Sequence, residues 1–304
     1  MREIVYLLKR NILLYLRDYA AVFFSLLSML IVLALMVIFL GNMNSENVVD
    51  ALAELGGVRD TAADQANADY LIQMWTLAGI LVVNTVTVTL TVMGKMVEDE
   101  ASNKLVSFYV TPVKRIKIVL SYIGSAWLVG TVMCLFTLTA GEIYMMILGH
   151  PLLPADSLLK LSGMILLNAF VYSAIAYLLA MVVHSGSAWG GLQTVVGTLV
   201  GFVGAIYLPV SMLPDGVMKV LKCLPVLHGA SMMRELCIQD ALEKTFAGLP
   251  EIAVDMFREQ MGVSIMIKES KIGLRHQILF ILLYGIIAVA ASAVITKRRR
   301  LHDR

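Results

Sequence analysis

The sequence lacks the motifs by which many soluble enzymes bind nucleotides or hydrolyse bonds. Its one candidate for a phosphate-binding loop, Gly94-Lys95, has Thr89 where the first glycine is required and is followed by Met96 instead of serine or threonine. Neither HExxH nor GxSxG occurs, and the five histidines lie in separate segments. We therefore predict that the chain is not an enzyme, has no catalytic residue and binds no cofactor of its own.

Charged residues are also scarce. Only 15% of the 304 residues are charged and 59% are hydrophobic, and the mean hydropathy is +0.82. A water-soluble protein of this size needs a more polar surface, so the composition predicts a multi-pass membrane protein. The net charge of +2 gives no reason to expect a nucleic-acid partner.

The three cysteines add few constraints. Cys134 lies in a long apolar stretch, where a thiol is usually an inert small hydrophobe. Cys223 and Cys237 fall in a predicted outer segment, where oxidising conditions permit a disulfide, but the sequence does not decide whether they pair. None of the three has the CxxC spacing of a zinc site, and no metal site is predicted.

Six apolar stretches are each long enough to cross a bilayer, which takes about 20 helical residues for about 30 Å of hydrocarbon. They cover residues 20–40, 71–93, 118–148, 158–183, 188–208 and 272–296. Lipid offers no hydrogen-bond partners to the backbone, so each stretch is predicted to be helical. The predicted fold class is an all-α membrane protein with one transmembrane domain over residues 1–304.

Basic residues predict the orientation of the spans. Lysine and arginine are concentrated in the N-terminal segment, in the loop after the second span and in the C-terminal tail, whereas the segment after the first span is acidic. The positive-inside rule then places both termini in the cytoplasm of a cell, taken here as bacterial, with the spans in its plasma membrane. Residues 1–18 are predicted to form an amphipathic helix in the inner interface, although a simple charged anchor explains the same pattern.

The loop after the second span carries a compact pattern over residues 98–112. An acidic run opens it, a short apolar face follows, and a proline ends it. Carboxylates favour a helix N-terminus, for which Ser102 or Asn103 is a candidate cap. An apolar face of this size packs either on its own bundle or in the groove of another protein. The residues selected for such a contact are Glu98, Asp99, Glu100, Leu105, Phe108 and Pro112.

Prolines interrupt the apolar sequence over residues 209–234, which is typical of broken or re-entrant helices shielded by protein or by a cavity. The positions selected in this corner are Pro209, Pro214, Pro225, His228 and Arg234. Residues 235–271 are predicted to form an outer segment that either covers the mouth of a dimer or gates release. The acidic segment at 42–70 is predicted to be either a short helix or mobile.

Candidate pathway residues lie within the second and third spans: Asn84, Thr87, Thr91 and Glu142. The first three share a helical face, but threonine hydroxyls also bond back to carbonyls of their own helix. Glu142 is the one acid well inside a predicted span, so it is either functional or hydrated at the outer headgroups. Glycines along the fifth span predict close helix packing.

Taken together, these patterns resemble the ABC-2 family of ABC exporter permeases, with the ABCG-like type V exporter fold. Its members carry an acidic run, a Gly-Thr-Leu and then Thr-Pro-Val before the third span, which Leu105 and Thr111-Pro112-Val113 match. Asn103-Lys104 stands where the family has Gly-Thr, and asparagine tolerates the left-handed conformation that glycine adopts there. The resemblance covers essentially the whole chain.

The resemblance implies specific roles for both patterned segments. Residues 98–112 become the coupling helix that receives motion from an ATPase subunit, and residues 209–234 become two re-entrant helices beneath the outer mouth. Pro225 and Arg234 then correspond to the proline and the arginine of the family's corner motif, whereas Leu224 replaces its usual asparagine.

The implied assembly holds two cytosolic ABC ATPase subunits, which carry ATP and Mg, and a second permease protomer, identical or homologous, in membrane lipid. The implied function is outward transport of an amphiphilic drug, antibiotic, peptide or lipid. The alternative is an autonomous secondary transporter or channel without an ATPase partner, which needs ion-coupling charges near mid-membrane and usually an internal repeat. A non-transporting scaffold or sensor is a third hypothesis.

Overall fold

The computed structural model describes residues 2–35, 41–54, 60–109, 113–267 and 270–298, and these are predominantly helical. In chain order the helices are α1 (Arg2–Arg17), α2 (Tyr19–Leu35), α3 (Gly41–Glu54), α4 (Thr61–Ala101), α5 (Lys104–Tyr109), α6 (Arg115–Ile147), α7 (Ala155–Ala180), α8 (Gly186–Val203), α9 (Asp215–Leu221), α10 (Pro225–Cys237), α11 (Gln239–Thr245), α12 (Glu251–Gln260) and α13 (Leu274–Arg298). A single 3₁₀ turn (Val210–Met212) precedes α9. A short antiparallel ribbon, β1 (Met266–Ile267) and β2 (Ser270–Lys271), pairs Met266 with Lys271 before α13.

The axis of the fold is α4. Asp60 caps its N-terminus by accepting hydrogen bonds from the backbone N–H groups of Ala62 (3.0 Å) and Ala63 (3.4 Å). The helix then runs for 41 residues, or about 60 Å at about 1.5 Å per residue. Helices α3, α6, α7, α8, α10 and α11 all pack on it, and most of its apolar side chains are buried.

The helix α4 is much longer than the predicted span at 71–93. It also takes in residues 61–70, assigned to the outer segment, and residues 98–101, assigned to the coupling segment. The reason is that hydropathy marks the part of a helix that lies in lipid, whereas polar residues at its ends do not stop it. No proline occurs between residues 61 and 101 to break the backbone hydrogen bonding.

Four helices of the described residues are long and apolar enough to cross a membrane: α4, α6, α7 and α13. The helix α2 is described only to Leu35, and residues 36–40 of the predicted first span lie outside the described residues. The helix α8 ends at Val203, before the predicted limit of 208. The all-α class is therefore confirmed, while six spans and cytoplasmic termini stay predictions.

The helix α1 covers the predicted interfacial segment and packs along α6. Asn11 and Tyr15 are its buried residues, and the Tyr15 hydroxyl donates to Ser25 Oγ on α2 (3.2 Å). On the other side Val5 and Tyr6 are exposed. An exposed apolar side fits a helix at a lipid interface, although Arg10, expected on the polar side, faces the bundle.

The predicted outer segments cover the N-terminal end of α4. The helix α3 arises from the acidic segment, so residues 41–54 form the short helix that was one of the two alternatives. It packs on α4, as does α11, where the Thr245 hydroxyl donates to the backbone carbonyl of Asn67 (3.2 Å). Residues 235–271 contain the end of α10, all of α11 and α12, and both strands of the ribbon.

Candidate functional site

The C-terminal end of α4 meets α1, α5 and α6 in a cluster that we call the Asp99 hub: Arg10, Asp99, Phe108 and Tyr122. The Asp99 side chain is 4% exposed and that of Arg10 is 29% exposed. Arg10 Nη1 and Nη2 donate to Asp99 Oδ2 and Oδ1 at 2.7 and 3.0 Å, and the Tyr122 hydroxyl donates to Oδ2 at 2.6 Å. This bidentate pair is charge-assisted and fixes α1 and α6 against α4. The hydrogen bonds to Asp99 raise the pKa of Arg10 above its ordinary value.

The short helix α5 is attached to the same cluster. The guanidinium carbon of Arg10 lies 5.1 Å from the centroid of the Phe108 ring, a cation–π contact. Leu105 is buried against the bundle, whereas Lys104 and Ser107 are exposed. Of the two alternatives for the apolar face of this segment, packing on its own bundle is therefore the one observed for Leu105. The exposed side of α5 remains available to another protein.

The three carboxylates of the acidic run do not form one surface. Asp99 forms an ion pair with Arg10, and Glu100 is buried with one carboxylate oxygen 3.9 Å from His184 Nδ1. Glu98 is exposed and pairs with Lys95 Nζ (2.9 Å), which also binds Asp18 (2.9 Å). The hydrogen bond from Lys95, together with one from a backbone N–H, lowers the pKa of Asp18.

The acidic run is the last turn of α4, so its expected position at the start of a following helix is wrong. Ser102 does not cap α5; its hydroxyl donates to the carbonyl of Glu98 (2.7 Å) and closes α4. Asn103 has a φ of 57°, which confirms the left-handed turn expected where the family has glycine. Carboxylates are unfavourable at a helix C-terminus, and the bound cations of Arg10 and Lys95 offset that cost.

The predicted coupling segment, 98–112, is therefore not one unit. Its first residues end α4, α5 covers Lys104–Tyr109, and Pro112 lies outside the described residues with its two preceding neighbours.

A second cluster, the Arg234 hub, lies against the N-terminal half of α4 and contains Trp75, Arg234 and two stretches of backbone, 204–205 and 261–263. The Arg234 side chain is completely buried. Its Nη2 donates to the carbonyls of Ala205 (2.6 Å) and Gly204 (3.1 Å), and its Nη1 donates to that of Gly262 (3.3 Å). The guanidinium carbon lies 4.5 Å from the centroid of the Trp75 ring.

The side chains of Arg234, Trp75 and Ser231 hold the loop at 261–263. The Trp75 indole donates to the carbonyl of Met261 (2.8 Å), and the Ser231 hydroxyl donates to that of Val263 (2.7 Å). Between them Gly262 has a φ of +65°, and a Cβ there would lie 2.9 Å from Arg234 Nη1. The loop therefore needs glycine both for its conformation and for its closeness to the arginine.

The prolines of the predicted corner each precede or begin a helix. Pro209 precedes the 3₁₀ turn, Pro214 precedes α9, and Pro225 is the first residue of α10, where its fixed φ suits a helix start. His228 Nε2 lies 2.9 Å from the carbonyl of Lys222, which ties α10 to the end of α9. Broken helices are thus present at 209–234, while their re-entrant position in a membrane stays a prediction.

The predicted pathway residues serve separate contacts. Asn84 Nδ2 donates to Thr137 Oγ1 (2.5 Å) and joins α4 to α6. The hydroxyls of Thr87 and Thr91 donate to carbonyls one turn back, at 3.0 and 2.9 Å, so the back-bonding alternative describes both. Glu142 is buried and accepts a hydrogen bond from the backbone N–H of Leu153 (3.0 Å), which ties α6 to the loop before α7.

The three cysteines form no disulfide with one another. Cys134, Cys223 and Cys237 are free thiols, of which Cys223 is exposed and Cys237 is buried. In the part of the chain that the structure describes, no group of three or more His, Cys, Asp or Glu side chains is placed to hold a metal ion.

Sequence reasoning missed half of each hub. Arg234 came from the resemblance, but Trp75 and Gly262 were not singled out, although an indole donor in an apolar span needs a partner. Arg10 was read as one more charge on the polar face of an interfacial helix. Its separation from Asp99 along the chain left no local pattern by which the pair could be found.

The sequence matches a known protein family. A family described as ABC-2 family transporter protein matches residues 57–296, from just before α4 to near the end of α13. No curated protein matches the sequence. The matched region contains both hubs except Arg10.

Proposed function

Because the chain belongs to the ABC-2 family of transporter proteins, we propose that this permease is the membrane subunit of an ATP-driven exporter. It moves an amphiphilic drug, antibiotic, peptide or lipid outward. Two separate cytosolic ABC ATPase subunits hold the ATP and Mg, and a second permease protomer, identical or homologous, completes the complex in the membrane.

The observation that carries the proposal is the Asp99 hub. Phe108 on α5 and Asp99 on α4 contact the same guanidinium, that of Arg10, so a displacement of α5 or α1 acts directly on α4. The helix continues without a break to the Arg234 hub. A push by a partner on the C-terminal end of this helix therefore acts on the contacts of Trp75 in the Arg234 hub.

The exposed groups around the hub supply the surface for that partner. The structure exposes Glu98 on the last turn of α4 and Lys104 and Ser107 on α5, all within ten residues of the chain. They offer both signs of charge, which suits a surface of complementary charge on a cytosolic protein. The sequence carries no nucleotide-binding motif that would make such a partner unnecessary.

Capture of the partner tests the proposal. The tagged chain is purified together with the soluble ATPase that travels with it, and ATP turnover is measured with candidate amphiphiles. We expect the double change Glu98→Lys with Phe108→Ala to lower the stimulated turnover about tenfold. The first change reverses an exposed charge of the proposed interface, and the second removes the contact between α5 and Arg10. A loss of about 1.4 kcal/mol is enough for a tenfold effect. The monodispersity of the permease should not change.

The matched control is Asp156→Lys. Asp156 is also an exposed carboxylate paired with a lysine, Lys160 (2.6 Å), but it lies at the start of α7, away from the Asp99 hub. This variant should retain full turnover. Equal loss in both variants, or none in either, contradicts a contact at the hub.

A further inference from the structure

An apolar cavity of about 440 Å³ lies between α4, α7, α8, α10 and α13. Val86 and Ala176 form part of its inner wall, and Leu224 and Pro225 at the start of α10 close another side. All of its lining side chains are hydrocarbon except two tyrosines. None of the residues predicted for a pathway lines it.

Both tyrosine hydroxyls are engaged elsewhere. That of Tyr172 donates to the carbonyl of Pro225 (3.4 Å), and that of Tyr284 donates to the carbonyl of Cys223 (2.6 Å). The cavity therefore presents almost only carbon to an occupant. A polar ligand would lose its hydration without compensation, so the site selects against one.

The cavity is open on one side. Ala288 and Val86 are almost completely buried, but Ile287, which also lines the cavity, is 57% exposed. The helix α8 packs mainly on α4, whereas α13 packs mainly on α7, which leaves the mouth between α8 and α13. Since α4, α7 and α13 have the length and composition of membrane spans, this mouth faces bilayer hydrocarbon.

The volume indicates the size of the occupant. An apolar protein cavity of about 150 Å³ accommodates benzene, so this cavity, about three times larger, accommodates roughly 18 carbon atoms. We propose that it binds one hydrocarbon chain of an amphiphile that enters sideways from the bilayer between α8 and α13. The amphiphile's head group stays outside the mouth.

Occupancy has a structural consequence. Pro225 forms part of the cavity wall and begins α10, the helix that carries Arg234. A bound chain supports α10 from the side opposite to the Arg234 hub and so stabilises that hub. As a binding site the cavity stands independently of the exporter proposal; only the view that the bound amphiphile is the transported one rests on it.

Photolabelling tests the site. The full-length permease is placed in phosphatidylcholine nanodiscs with a trace of phospholipid bearing a diazirine on its acyl chain, irradiated, digested and mapped by mass spectrometry. We expect labels on cavity residues away from the exposed mouth, such as Val86 and Tyr284. Ala288→Trp fills the cavity and should lower labelling there about fivefold or more, because a packed interior has no room for the chain.

The matched control is Ala290→Trp, on the same helix but exposed, which should leave the labels in place. Ala176→Leu fills the opposite wall with a smaller side chain, and each variant is first checked for an unchanged unfolding temperature. Labels spread evenly over exposed residues, or unchanged labelling of the cavity in both filled variants, overturn the proposal.

Competition separates the two sources of the chain. If a transported amphiphile displaces the probe, the cavity holds substrate; if labelling persists at saturating substrate, it holds a resident lipid, and either result supports the site. Cavity labelling without any ATP-driven transport refutes only the exporter. Transport without cavity labelling refutes only the chain-binding site.

Discussion

The two arginines that pack against opposite halves of α4 are stabilised in different ways. Arg10 is partly exposed and binds a carboxylate, so its contact is an ion pair between separate helices. Arg234 is completely buried and, among the described residues, forms no ion pair; it donates to backbone carbonyls and stacks on Trp75. The ion pair of Arg10 with Asp99 joins α1 to α4, so a displacement of one helix acts on the other. The hydrogen bonds of Arg234 fix the path of the backbone at 204–205 and at Gly262.

The difference follows from what each arginine replaces. The C-terminal carbonyls of α8 have no partner within their helix, and the Arg234 guanidinium donates to those of Gly204 and Ala205. Its positive charge also interacts favourably with the partial negative charge at the C-terminus of α8. A carboxylate is not needed there. The end of α4 instead carries carboxylates in its last turn, and Arg10 is needed to neutralise Asp99.

The largest expected effect comes from Arg234→Met. The change leaves three carbonyls without donors inside the fold, so we expect a loss of about 3 to 5 kcal/mol in unfolding free energy, measured by denaturation in detergent. Arg275→Met, on the exposed first turn of α13, is the control and should change little. If both variants unfold alike, Arg234 is not a clamp.

A smaller loss, about 2 to 3 kcal/mol, is expected for Asp99→Ala, because Arg10 keeps partial access to water when its partner is removed. The α1 helix should also become more sensitive to protease. A double-mutant cycle with Arg10→Leu should give a coupling energy of about 1 kcal/mol or more. A coupling energy near zero would mean that the pair does not hold α1 to α4.

A comparison of Gly262 with Gly248 separates the cost of a left-handed backbone from the cost of a steric contact at the Arg234 hub. Gly262 and Gly248 both have positive φ, at +65° and +79°, but a Cβ meets Arg234 only at Gly262. Both alanine variants should lose about 1 kcal/mol from the left-handed backbone. Gly262→Ala should lose about 1 kcal/mol more, because its Cβ would lie 2.6 Å from Val210 Cγ2 and 2.9 Å from Arg234 Nη1, so both side chains must move. Equal unfolding temperatures would show that the loop does not need its closeness to Arg234.

The smallest effect concerns pH. The ring of His150 stacks on Tyr70 with centroids 4.6 Å apart, and burial lowers the pKa of His150 below its ordinary value. The unfolded chain therefore binds the proton more readily, so stability should fall slightly as the pH drops through about 6.5. His150→Phe keeps a stacked ring and should show a flatter pH profile in thermal unfolding. A parallel profile would exclude His150 as the source.

The sequence predicted the class of the fold because apolar runs with few charges leave little alternative to membrane helices. It did not predict where helices end. Residues 98–101 read as the start of a coupling segment, yet they continue α4, since the local propensity of carboxylates is outweighed by the ion pairs that Arg10 and Lys95 supply.

The hubs were predictable only in part. The left-handed turn at Asn103 could be predicted because the tolerance of asparagine for this conformation is a local property, and the structure confirms the turn. The pairing of Arg10 with Asp99 and of Trp75 with the carbonyl of Met261 joins residues far apart in sequence, and only the tertiary fold brings them together. The pathway role of Asn84 and Glu142 stays a prediction; their hydrogen bonds to Thr137 and to the backbone N–H of Leu153 also join residues that no local pattern links.

The most direct test of the account is uptake of an amphiphile by sealed vesicles that hold the permease and its captured ATPase in the inside-out orientation. Accumulation should require hydrolysable ATP. It should fall about tenfold when Glu98→Lys and Phe108→Ala are combined, as expected if the coupling to the ATPase weakens by about 1.4 kcal/mol. Uphill accumulation by vesicles that contain only this chain would contradict the central claim that a separate ATPase drives it.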